Sequence, residues 1–257
     1  MKIWVFAESE NSNPTTATLE MVTKARELGA TVEAVYVGTD ADAVATGLGE
    51  YGVSKVHAVD PQGGLVGVVG AAAIAGLVAA EAPDLILFAQ TYDGRDAIAR
   101  LSARLDRTVL TNGMSLAVDG DSVTVGTAVF GGTLLVDTKF TGEKPYLAAI
   151  RPKSFAAEPG GATTAAVAQV GAVDAGRGGE AKVLERHVEE REGPKLEEAA
   201  VVVSGGRGMK SGENFKVLEE LADLLKAAIG YNQEMLGSIN AVTKVSSSGH
   251  CMVLVCH

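Results

Sequence analysis

The chain has 257 residues, 47% of them hydrophobic and 21% charged, which is the profile of a globular protein with one large domain or two modest ones. Its 22 basic and 32 acidic residues leave a net charge of −10. That balance argues against a nucleic-acid binder and against an anionic membrane surface as partner, because both need a basic face. Lys2-Ile3-Trp4-Val5-Phe6-Ala7 reads as a strand, with no charged lead and no cleavage site. Cys251 and Cys256, close together at the C-terminus, make no disulfide framework. A reducing, cytoplasmic location is the expectation.

Further strand candidates are Val32–Val37, Lys55–Val59 and Leu85–Ala89, the last apolar throughout and suited to burial on both faces. Helical segments alternate with them at Thr15–Leu28, Asp40–Tyr51, Gly64–Glu81 and Asp96–Leu105. Gly29 stops the first helix and Asp40 is placed to cap the second. From Gly63 to Ala80 there is no charge, as in a membrane span, but Ala and Gly dominate where insertion favours larger apolar residues. Gly64, Gly67, Gly70 and Gly76 resemble the small-residue contacts of membrane helices, but a buried helix packed tightly on a sheet is expected. Alternating strands and helices imply a parallel sheet with helices on its faces.

Beyond Asp106 the pattern changes. Asp119-Gly120 is a hairpin signal, and Ser122–Phe130, Thr133–Phe140 and Pro145–Ile150 are short β-rich runs expected to form an antiparallel extension. They close a first domain over residues 1–155. Residues 156–181, rich in Ala, Gly, Pro and Thr, read as a linker. A second unit follows over residues 182–230, with residues 231–257 as an unassigned tail. The fold class is α/β: an N-terminal parallel-sheet domain with an antiparallel extension, then an incomplete second doubly wound domain.

In the second unit Ala199–Val203 is a buried-strand run that leads into Ser204-Gly205-Gly206-Arg207-Gly208-Met209-Lys210-Ser211-Gly212. A helix follows, with Phe215, Leu218, Leu221, Ala222, Leu225 and Ile229 at helical spacing. Glycines between strand and helix let backbone N–H groups approach a phosphate with the help of the helix dipole. Arg207 adds a fork suited to a phosphate or a polarised ring carbonyl. The spacing fits neither the Walker nor the G-x-G-x-x-G pattern, and a structural turn with a solvated Arg would look similar.

Ser204-Gly205-Gly206-Arg207-Gly208 through Ser211-Gly212-Glu213-Asn214-Phe215 strongly resembles the signature of the electron transfer flavoprotein alpha subunit. Ala7-Glu8, Gly94-Arg95-Asp96, Ala103-Arg104-Leu105, Phe130-Gly131-Gly132 and Ile150-Arg151-Pro152 agree with it in order, so the resemblance runs to about Gly230. It implies a subunit that pairs with a beta subunit as a heterodimer and holds FAD in its second domain. Such a carrier accepts electrons from dehydrogenases, for example the acyl-CoA dehydrogenases of fatty acid beta-oxidation, and passes them to a quinone oxidoreductase or another acceptor. It is a carrier rather than a substrate-converting enzyme, with no catalytic residue of its own. The resemblance places Arg207 at the flavin, with Ser204, Gly205, Gly206 and Gly208 lining the site.

After Gly230 the family's later FAD-contacting segments have no match. The expectation is a truncated or frame-shifted form with weakened FAD binding, at the limit a flavin-free remnant that only binds the beta subunit. An N-type ATP pyrophosphatase is the alternative from another class. Its phosphate loop continues with an Asp-Ser pair where Arg207-Gly208 stand here.

The remaining constellations read as structural. Cys251 and Cys256, flanked by His250 and His257, diverge on a strand, so an apolar terminal strand with incidental thiols is favoured over a metal site. Asp96, expected at a helix start, can pair with Arg100. His57 and His187 stand alone along the sequence, and the acidic run Glu185 to Glu198 reads as solvated surface.

Overall fold

Apolar strands joined by single helices can lie side by side only in parallel, with each helix folded back over one face of the sheet. A computed structural model describes residues 1–160, 164–185, 199, 201–206, 209, 211–231 and 251–255. The chain divides into two units, Met1–Glu185 and Arg186–His257.

In the first unit β1 (Lys2–Ala7) leads through a small hairpin, β2 (Ser9–Glu10) and β3 (Asn13–Pro14), into α1 (Thr16–Glu27). There follow β4 (Thr31–Val37), α2 (Ala41–Glu50), β5 (Lys55–Val59), α3 (Val66–Glu81), β6 (Leu85–Ala89) and α4 (Tyr92–Leu105). The last strands are β7 (Val109–Asp119), β8 (Ser122–Val129), β9 (Leu134–Lys139), β10 (Tyr146–Ile150) and β11 (Ala166–Val170). Nine of them form one sheet in the order β11-β5-β4-β1-β6-β10-β7-β8-β9. Alternation along β1 divides its side chains between two cores. Ile3, Val5 and Ala7 pack with Met21, Val22 and Ala25 of α1 and Val44 and Leu48 of α2. Trp4 and Phe6 pack with Ile74 of α3 and Ala97, Ile98 and Leu101 of α4. The chain thus winds outward from β1 in both directions, and the carboxyl ends of β1 and β6 mark its topological switch point.

The uncharged segment forms a helix buried against the sheet. A Cβ on Gly70 would lie 2.5 Å from the Phe6 ring and one on Gly67 2.5 Å from Asp96, so the missing side chains let α3 close on β1 and α4. No helix among the described residues is long and apolar enough to cross a membrane. Gly29 ends α1 at φ 72°, and Gly120 turns the β7–β8 hairpin at φ 57°.

Four local expectations are corrected. Tyr146–Ile150 does not join the antiparallel extension; it inserts between β6 and β7, parallel to both. Leu147, Ala148 and Ala149 are fully buried there, as a run apolar on both faces requires. Within the segment expected to be a linker, Ala166–Val170 pairs with β5 in parallel and covers what would otherwise be an open edge. Asp40 stands at the start of α2 without capping it, since its carboxylate accepts the Tyr36 hydroxyl instead. Helix α4 begins at Tyr92, four residues before Asp96, because the Thr91 hydroxyl accepts the Gly94 N–H at 3.0 Å and caps it.

The second unit contains β12 (Val201–Gly205), a single 3-10 turn (Gly212–Phe215), α5 (Lys216–Leu225), β13 (Ala228–Tyr231) and β14 (Cys251–Val255). Its parallel sheet has the order β13-β12-β14. Val203, Phe215, Leu218, Ala222 and Ala227 form its core. Residues expected to be an unassigned tail thus contribute a third strand, in keeping with the apolar run Met252-Val253-Leu254-Val255.

Candidate functional site

Strand β12 is central in its sheet. The chain leaves it through α5 to β13 on one side, while β14 lies on the other, so its carboxyl end is a switch point. Open α/β sheets receive ligands at such points. Ser204, Gly205 and Gly206 occupy this end, as the sequence places them; Arg207 and Gly208 lie outside the described residues. The Ser204 hydroxyl donates to the Gly230 carbonyl at 3.3 Å and so ties β12 to β13. A Cβ on Gly205 would fall 2.6 Å from both Leu218 and Phe215, so this glycine lets the helical segment close on the strand. Beyond it the loop is folded by its own backbone: Met209 N–H donates to Gly206 at 3.0 Å and Ser211 N–H to Met209 at 2.7 Å. The Asn214 amide also donates to the Met209 carbonyl, at 2.6 Å. A glycine turn at a switch point, followed by a helix with no side-chain cap, fits the pyrophosphate-bearing part of a dinucleotide.

The corresponding place in the first sheet is built differently. Glu8 follows β1, and its carboxylate accepts the Thr91 hydroxyl at 2.6 Å. Burial pushes the Glu8 carboxyl up to about 7, with the nearby Asp93 adding to the shift and the Thr91 hydrogen bond opposing it. Sequence reasoning singled out Ala7-Glu8 and Gly94-Arg95-Asp96 separately. Nothing in local spacing announces that residues 83 positions apart meet, because β6 must first pair beside β1.

At the amino edge of the same sheet His57 packs within β5, as its strand-like run implies, and gains partners that are distant in sequence. His57 is buried and does not stand alone: its Nε2 lies 2.9 Å from Glu33 Oε2, the atom that also accepts the Trp4 indole N–H at 2.9 Å. Glu33, His57 and Glu81 place ligand-type atoms within 4.8 Å of one another. The cations present there are lysines: Lys2 Nζ is 3.7 Å from Glu33 and 3.3 Å from Glu81, and Lys55 Nζ is 2.8 Å from Glu81. Hydrogen bonds from Lys55 and Lys2 lower the Glu81 carboxyl. This network fastens the end of α3 to the strand starts.

Arg100 pairs with Asp96 at 2.8 Å on the exposed face of α4, as expected of a structural ion pair. His187 and the acidic positions Glu189, Glu190, Glu192, Glu197 and Glu198 lie outside the described residues.

Comparison with known proteins bears directly on the glycine loop. Residues 3–175 match the electron transfer flavoprotein domain, and residues 195–252 match the electron transfer flavoprotein FAD-binding domain. The second match extends past Gly230 and reaches the first two residues of β14. The chain is 33% identical over 238 residues to an electron transfer flavoprotein subunit alpha of Syntrophomonas wolfei, covering 91% of this chain and 74% of that protein. It is 34% identical over 230 residues to the subunit of the same name in Mycobacterium leprae, covering 85% and 68%. The Bacillus subtilis subunit is 28% identical over 234 residues, covering 89% and 71%.

Proposed function

The chain belongs to the electron transfer flavoprotein alpha-subunit family, and on that premise we propose that it is the FAD-holding subunit of a two-subunit carrier, receiving electrons from dehydrogenases and delivering them to a quinone-linked or other acceptor. The observation that carries this reading is the position of the glycine loop: the segment matched to the FAD-binding domain places Gly205 and Gly206 at the switch point of its own sheet. FAD supplies the reversible redox chemistry when bound, and the protein contributes binding, orientation and electrostatics. In this proposal Ser204, Gly205, Gly206 and Gly208 form one wall of the site. Arg207, which the resemblance assigns to the flavin, would add a permanent cation that favours negative charge on a reduced cofactor.

A beta-type partner is part of the family reading, and one surface supports it. On the edge strand β9 and the turn before it, Phe130, Leu134, Leu135 and Val136 are 79%, 54%, 79% and 43% exposed. An edge strand with exposed apolar side chains marks an interaction site or invites aggregation. We place the partner's docking surface there. The test is co-expression with the cognate beta subunit, followed by gel filtration and a visible absorption scan. A co-eluting, flavin-coloured complex is expected, and Leu135→Lys should release the partner. A colourless chain that elutes unchanged in the partner's presence removes the carrier role.

A further inference from the structure

Glu8 makes more connections than its place in the family motif explains. Its backbone N–H donates to Thr18 Oγ1 at 3.0 Å, and its carbonyl accepts the Thr15 N–H at 2.9 Å, so its main chain holds the first turn of α1. Thr15 is itself the cap of that helix. The Glu8 side chain meanwhile holds Thr91, whose hydroxyl caps α4 by accepting the Gly94 N–H. Helix α1 packs in one core and α4 in the other, on opposite faces of the sheet. One residue therefore joins the starts of two helices that lie on opposite faces of the sheet.

We propose that Glu8 is a proton-linked latch joining the N-termini of α1 and α4 at the carboxyl edge of the first sheet. The groups that face its carboxyl are Thr91, Gly94 and Asp93 of α4 and its cap, while Ser9 of the hairpin and Thr15 and Thr18 of α1 adjoin its main chain. Asp93 is the charged group acting on it among the described residues, and it is of the same sign. Compare Glu33, a buried carboxylate with Lys2 3.7 Å away. Ionised, Glu8 is a half-buried negative charge beside another and must draw in water. The closed latch holds the proton more tightly than an open, solvated one, so opening becomes easier as pH rises through neutrality. The part expected to open is the first turn of α4, which hangs on the Thr91 cap.

The test is made on the full chain in two measurements. The Glu8 side-chain carboxyl is titrated by carbon NMR, and protection of the Gly94 and Arg95 amides is followed by hydrogen exchange, corrected for the intrinsic effect of pH. A midpoint near neutrality is expected, with protection falling about tenfold between about pH 6 and pH 8.5 by linkage from the shifted carboxyl. In Glu8→Gln, a neutral isostere, protection should stay level across that range. A midpoint in the ordinary carboxylate range, or the same pH profile in Glu8→Gln, overturns the latch. The carboxyl titration is made on the unsubstituted protein and keeps the test independent of how any variant folds.

Discussion

The two sheets of this protein have the same kind of edge and put opposite chemistry on it. In each, the central strand ends at a switch point, where the geometry of parallel sheets leaves a crevice. At the end of β1 the crevice receives Glu8, whose carboxylate is held by the Thr91 hydroxyl at the head of α4. At the end of β12 stand Gly205, whose missing side chain lets Phe215 and Leu218 close on the strand, and Gly206, which puts no side chain into the crevice. The comparison teaches that topology creates the place, and that one or two residues at the strand end decide whether the chain or a ligand fills it.

The largest effect is expected not at either switch point but at the amino edge of the first sheet, which shows what a buried carboxylate does when it has donors and cations. Glu33→Ala leaves His57 and the Trp4 indole without their acceptor and the Lys2 ammonium short of a partner. Losing one partner of such a buried group costs about 3–5 kcal/mol, read as a lower denaturation midpoint. A loss below about 1 kcal/mol would mean that water replaces the carboxylate and the network adds little to stability.

Arg207→Ala tests the ligand side of the comparison. Removing a charged hydrogen-bond donor from a binding site costs about 1.5–3 kcal/mol, so FAD affinity in the presence of the beta subunit should fall by about 10–100-fold on equilibrium dialysis. Glu8→Gln, as control, should leave FAD affinity unchanged. If the two variants behave alike, the division of labour between the two edges is wrong.

Gly205→Val sharpens the same point by structure alone. Its side chain meets Phe215 and Leu218, so α5 must move away from β12. Overpacking of this kind costs about 1–3 kcal/mol, and thermal unfolding should show a destabilised second unit with the first unit's transition unmoved. A single transition shifted as a whole would show that the two units unfold together.

An effect smaller than the loss of Glu33 is the pH dependence of the first unit. Burial raises the Glu8 carboxyl in the folded state to about 7 from 4.5, so between those values the folded protein holds a proton that the unfolded chain does not. The stabilisation is full below the unfolded value and is lost as pH rises through about 7, amounting to about 2 kcal/mol between about pH 5 and pH 8. Melting temperatures of Glu8→Gln should lack this decline. A variant that still declines in parallel with the parent protein assigns the pH dependence to another group.

Much of the first fold was legible because its signals are local. Leu85–Ala89, Lys55–Val59 and the uncharged helix declare themselves by composition, and Gly29 and Gly120 by the backbone shapes they permit. The misreadings share a cause. Tyr146–Ile150 looks like one more short β run, and its parallel partners are chosen by burial between β6 and β7. Ala166–Val170 is too small in side chain to read as core, yet an open strand edge beside it is enough to recruit it. Asp40 reads as a cap and Asp96 as a helix start by residue type, whereas competing groups, Tyr36 and the Thr91 hydroxyl, decide otherwise.

By itself the sequence determined that the protein is α/β in class, acidic and built in two parts, and that its second part carries a glycine loop between a buried strand and a helix. Those properties follow from periodicity, charge and the conformational freedom of glycine, all of which act within a few residues. Only the tertiary structure decided that Glu33, His57 and Trp4 share one buried network, and that Glu8 and Thr91 meet across the sheet. The reason is physical: strand order is settled by which faces can be buried together, and only that order brings distant polar groups within a hydrogen bond of one another.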